Sequence, residues 1–142
     1  ICSGLVGSEM CIRDSQNYCT TAANTVGAGA VMGSSGSTSI TNDDFVIECT
    51  GLPNDFAIFF YGQAKDNSAV MGFNGVQCVS NPVRLQAVQL ASGGSISRAT
   101  SNAELGAPAA GDTMFFQCFY RDHGNLGSPA NTSDGLAVTF GL

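Results

Sequence analysis

Met114-Phe115-Phe116-Gln117-Cys118-Phe119-Tyr120 is the stretch that decides how this chain folds. It is the most aromatic run in the sequence, and it reads as a β-strand. The same reading spreads outward from it. Leu136, Val138 and Phe140 alternate with Ala137 and Thr139. Phe45, Ile47 and Cys49 alternate with Val46, Glu48 and Thr50, so one face of that strand is apolar. Residues 57–61 are apolar on both faces, as in a central strand. Residues 76–79 form a short strand between the turn signals Asn74-Gly75 and Asn81-Pro82. Residues 83–90 alternate, and Gly93-Gly94 predicts a hairpin to residues 95–99. Residues 28–33 and 37–40 predict another hairpin around Ser35-Gly36. Residues 104–110 have room for one helical turn, and Pro108 argues against more. The fold expected is all-β: an antiparallel β-sandwich, jelly-roll or Ig-like, of about eight strands. Its core should include Phe45, Ile47, Phe59, Leu85, Phe116, Val138 and Phe140.

Composition agrees with that class. The chain has 142 residues, of which 44% are hydrophobic and 11% charged. An average domain has about 25% charged residues. Charged disorder and coiled coils both need more charge than this. Net charge is −6, Lys65 is the one lysine, and the arginines are scattered. Nucleic acid and anionic membrane need clustered cations, so neither is an expected partner. No apolar run reaches the ~18 residues of a membrane-spanning helix, so no membrane insertion is expected.

The first fifteen residues read differently from the rest. They lack the basic start and apolar stretch of a signal peptide. Residues 8–15, and Met10-Cys11-Ile12-Arg13-Asp14-Ser15 above all, match the translation of a sequencing-library adapter. The expectation is a non-native segment at 1–15 and a single domain over 16–142.

Setting that segment aside leaves Cys19, Cys49, Cys78 and Cys118. They are widely spaced, without the close pairs of a zinc site, and the only histidine is His123. Two disulfides in an oxidising compartment are expected. Four cysteines allow three connectivities. The pairing expected is Cys19–Cys78 and Cys49–Cys118, because Cys49 and Cys118 lie inside apolar strands where they could face each other. Free buried thiols at Cys49 and Cys118 are the alternative.

Several segments together carry a family resemblance. They are Asn17-Tyr18-Cys19-Thr20, Gly33-Ser34-Ser35-Gly36-Ser37 and Asn42-Asp43, then Phe59-Phe60-Tyr61-Gly62, Gln77-Cys78-Val79 and Arg84-Leu85. The last two are residues 116–122 and 133–140. In these the chain resembles a secreted β-domain of planctomycetes and other bacteria, often found at the C-terminus of large extracellular proteins. Some relatives have Trp where Phe119 stands, and some end in Cys-Pro where Gly141-Leu142 stands. The resemblance implies an extracellular or cell-surface location and brings no catalytic residue.

Candidate chemistry is sparse. Arg121-Asp122-His123 could suggest a hydrolytic dyad, but adjacent strand residues point to opposite faces. The reading preferred is a strand end with Arg121 paired to a carboxylate such as Asp134. Asp43, Asp44 and Asp134, with Asn42, Asp66 and Asp122, could offer oxygen ligands to calcium. Among the aromatics Phe56, Tyr61, Phe73 and Tyr120, Phe73 is the best candidate for an exposed ring that meets a sugar. Asn131-Thr132-Ser133 reads as a loop that fits the glycosylation pattern. The function expected is a non-catalytic extracellular structural or adhesion module of a larger secreted or cell-surface protein. Its partners would be the other domains of that chain. The alternative is a carbohydrate-binding module for extracellular polysaccharide, with calcium as its one candidate cofactor.

Overall fold

The computed structural model describes residues 15–69, 73–123 and 129–142. Residues 1–14, which carry most of the adapter-like stretch, lie outside the described residues. The described strands are β1 (Ser15–Tyr18), β2 (Val31–Ser35), β3 (Val46–Thr50), β4 (Phe56–Gly62), β5 (Lys65–Ala69), β6 (Val76–Val79), β7 (Val83–Leu90), β8 (Ser95–Ala99), β9 (Thr113–Arg121) and β10 (Ala130–Thr139). They form a five-stranded sheet ordered β1-β10-β9-β4-β7, a three-stranded sheet ordered β2-β3-β8, and a two-stranded hairpin β5-β6. Every pairing between named strands is antiparallel.

Alternation explains the core. Phe59 of β4, Leu85 of β7, Phe116 of β9 and Val138 of β10 all point inward from the large sheet and are buried. Met32, Ile47, Cys49 and Ile96 meet them from the small sheet in one apolar cluster. Phe45 touches Phe116 and Phe140 at ring-centroid distances of 5.8 and 5.6 Å. All seven residues expected in the core are buried. The fold is an all-β, antiparallel, sandwich-like arrangement.

Two expected hairpins are replaced by other pairings. Gly93 and Gly94 do form a tight turn, with φ of 63° and 80°. The turn joins different sheets, since β7 pairs with β4 while β8 pairs with β3. A local turn signal cannot distinguish a hairpin from such a corner. The corner is pinned by the Ala91 N–H donating to Asp55 O and the Leu52 N–H donating to Gly94 O, each at 2.9 Å. Likewise β2 pairs with β3, and residues 37–40 are not a strand. Gly36 (φ +74°) turns the chain there, where a side chain would meet the Asp44 carbonyl. Residues 104–110 contain turns and no helix. β1 and β5 were not expected. Ser15, which the sequence reading set aside, opens β1 opposite Val138.

The cysteines divide. Cys19 and Cys78 are bonded, with Cα atoms 6.2 Å apart and a sequence separation of 59. A loop of that size constrains the unfolded chain by about 4 kcal/mol. The expected Cys49–Cys118 bridge is not formed: both are buried free thiols. They approach each other from the two sheets, Cys49 on β3 and Cys118 on β9, within one apolar cluster. Burial, reinforced by Cys49, pushes the Cys118 thiol well above its ordinary range. They pack as small apolar groups.

The hairpin β5-β6 lies against the outer face of the large sheet. Gln117 points outward from β9, between inward-facing Phe116 and Cys118. Its Oε1 accepts the Cys78 N–H, and its Nε2 donates to Val76 O and Ser133 O, all at 2.8 Å. The Tyr18 hydroxyl donates to Cys78 O at 2.6 Å. Gly62 gives the hairpin room, because a Cβ there would stand 2.5 Å from Val79 Cγ1 and 2.8 Å from Ser80 O.

Candidate ligand groove on the outer sheet face

Beyond the hairpin no described residue fully covers the outer face. Phe60 and Phe119 occupy outward positions on the paired strands β4 and β9, with ring centroids 4.4 Å apart. Phe73 joins edge-on to Phe119 at 5.4 Å. Its segment is held by a bridge to Ala130 and by the Asn74 N–H donating to Ala130 O at 3.1 Å. These rings line a groove of about 530 Å³ together with Phe56, Ile58 and Val88. Phe56 is 50% exposed and Val88 52%, which is high for apolar side chains of this size. Phe73, the sugar-facing candidate, is half-buried and lies in this groove. Tyr61 packs against the core and Tyr120 is buried in it, so neither phenol forms part of an open shelf. Burial pushes the Tyr120 phenol up to about 12.

Two cations line the same groove. Arg84 stands opposite Phe60 in the β4–β7 pairing, and Arg121 stands opposite Ala130 in the β9–β10 pairing. Both side chains are exposed. The sequence reading named Arg121 only as a strand-end partner for a carboxylate, and Phe60, Phe119 and Arg84 only within the family resemblance, none of them as a ligand contact. A signal existed: strands apolar on both faces leave one row of large side chains outside the core.

Arg121 does not pair with Asp134, contrary to expectation. Asp134 lies between β10 and β2, where it accepts the Met32 N–H at 2.8 Å and Asn17 Nδ2 at 3.0 Å. Burial raises its carboxyl above the ordinary range, against the lowering effect of those hydrogen bonds. Asp122 and His123 also go separate ways. The Asp122 carboxylate is buried and accepts the Thr25 N–H and hydroxyl. His123 Nδ1 meets Asp55 at 2.5 Å.

The calcium candidates are dispersed. Asp43 accepts the Asn102 N–H at 2.7 Å. Asp44 accepts the Ser37 hydroxyl at 2.6 Å and its N–H at 3.2 Å, which lowers its pKa. Among the described residues, no three His, Cys, Asp or Glu side chains converge as a metal site. Asn131 is fully buried inside β10 instead of in a loop, and its amide donates to Ala23 O at 3.1 Å.

Comparison of the chain with protein-family models, curated proteins and solved structures finds no match.

Proposed function

We propose that this chain is a non-catalytic, extracellular adhesion module of a larger secreted or cell-surface protein, and that it holds a polysaccharide in the outer-face groove. The observation that carries the reading is the shelf of Phe60, Phe119 and Phe73, which no described residue fully covers. An aromatic face is electron-rich, so it attracts the weakly positive C–H face of a pyranose while its body stays apolar. Work of this kind needs a rigid platform and no reaction. The Cys19–Cys78 bond supports an oxidising location. The separate commitments of Asp122 and His123 support a non-catalytic role.

The test is calorimetric titration with a glycan panel, with and without EDTA. The wild-type chain should bind a panel member at sub-millimolar Kd. Phe73→Ala and Phe119→Ala should each weaken that binding by at least about tenfold. A panel without binders, or binding indifferent to both substitutions, would overturn the proposal. Loss of binding in EDTA would restore calcium as a cofactor.

A further inference from the structure

We infer that the groove is selective for acidic polysaccharide, with Arg84 and Arg121 holding its acid groups while its sugar faces lie on Phe60 and Phe119. This rests on the groove being a polysaccharide site and adds the chemical class it selects.

The argument begins with how the cations are used. The chain is acidic, with net charge −6. Lys65 lies over the Tyr18 ring at 5.2 Å. Arg98 is bound to Glu104 at 2.7 Å and to Gln86 O at 2.7 Å. Among the described residues, this leaves Arg84 and Arg121, whose guanidinium groups have neither an ion pair nor a hydrogen bond. Both line this groove, and among the described residues no carboxylate lines it with them. A free guanidinium on an open surface is ordinarily just hydrated. Here each adjoins an apolar wall, which focuses its field into the groove. Its planar fork suits bidentate pairing with an oxyanion.

Placement indicates a chain more than a small ion. Arg84 marks the Phe60 end of the shelf. Ala57 stands opposite Tyr120, so Arg121 falls at the Phe56 end. Phe60 lies four residue steps along β4 from Phe56, about 13 Å at 3.3 Å per residue. The charges therefore flank the rings instead of converging on one point. This suits an extended polymer with repeated acid groups and apolar ring faces between them. An acidic peptide fits less well. β4 and β9, which carry the rings, are paired on both sides and offer a peptide backbone no free edge to extend; of the strands that line the groove only β7, with Arg84 and Val88, is an edge strand.

The test is affinity electrophoresis and calorimetry on the wild-type chain, Arg84→Gln and Arg121→Gln. The probes are polygalacturonate and alginate (carboxylates), chondroitin sulfate and dextran sulfate (sulfates), dextran and galactan (neutral), and polyglutamate. At least one acidic glycan should bind about tenfold or more tighter than its neutral counterparts, and rising salt should weaken it. Each arginine variant should lose about tenfold on that glycan and much less on neutral glycans, with melting temperature unchanged. The carboxylate and sulfate arms identify the preferred oxyanion. Equal binding of acidic and neutral glycans, or indifference to both arginine variants, overturns the selectivity and leaves the module reading intact. Polyglutamate binding as tightly as the acidic glycans overturns the assignment to polysaccharide. No glycan binding at all overturns both.

Discussion

Two halves of one sheet face show how differently the same strands can be used. Along β4, the outward position changes from Phe60 to Gly62. Along β9, it changes from Phe119 to Gln117. Where the outward residues are Gly62 and Gln117, the hairpin β5-β6 lies on the sheet and is hydrogen-bonded to it. Where they are Phe60 and Phe119, nothing described covers them fully and a groove remains. A small side chain admits a second layer of backbone, and a buried amide satisfies the polar groups that layer brings. Large rings keep the layer out. The covered half therefore serves stability and the open half is available for binding.

The strongest way to break this contrast is to release the hairpin. Replacing both Cys19 and Cys78 by Ser should cost about 4 kcal/mol in guanidinium unfolding. A loss near zero would mean that non-covalent contacts alone hold the covered half. Gln117→Ala should come next, at about 3 kcal/mol, because it strands the buried Cys78 N–H and the Ser133 carbonyl, while the Val76 carbonyl keeps the Thr132 hydroxyl. A cost below about 1 kcal/mol would mean that these groups find other partners.

Tyr18→Phe sharpens the contrast through pH. It removes the hydrogen bond to Cys78 O and should cost about 1 kcal/mol at neutral pH. Burial, and then the charge of Asp134, raises the Tyr18 phenol above its ordinary value. An unfolded tyrosine ionises near pH ~10. Its contribution is thus fully present below about pH 10 and is lost as pH rises above that toward the folded value. Above pH ~10 the wild type should lose stability faster than the variant, by up to about 1.4 kcal/mol per pH unit. Urea midpoints from pH 8 to 11 would show whether the two curves stay parallel, which would place the phenol in solvent.

The smallest effect belongs to the open half. Phe56→Ala should change stability by less than about 0.5 kcal/mol, because the ring is half exposed at the groove rim. A larger cost in thermal melts would show that the ring packs as a core residue and that the open half is not free for a ligand.

Much of this was legible in the sequence, and the gaps have physical causes. Inward alternation in residues 45–49 and 136–140 reports burial directly, because the strand period is two. The same signal cannot say which strands share a sheet, so the Gly93-Gly94 corner looked like a hairpin. β5 escaped notice because Lys65-Asp66-Asn67-Ser68 is polar on both faces and lies on the surface. Asn131-Thr132-Ser133 looked like a loop by its residue types. In β10 those side chains are buried, and hydrogen bonds reconcile their polarity with that burial. Phe73 was visible as a loop aromatic. Its meeting with Phe119, Arg84 and Arg121 depends on pairings distant in sequence, which no local pattern encodes.

The pairing of β1 with β10 has a mechanical consequence. The strands run antiparallel, with Ser15 beside Val138 and Tyr18 beside Gly135. Tension applied between residues 15 and 138 enters at one end of that ladder and opens it rung by rung, as a zip does. The tear stops at Cys19, where a covalent bond hands the load to Cys78 in the hairpin. A tethered copy pulled in this way would give a few residues of slack at low force and then stiffen, a short shock absorber in series with a fixed stop.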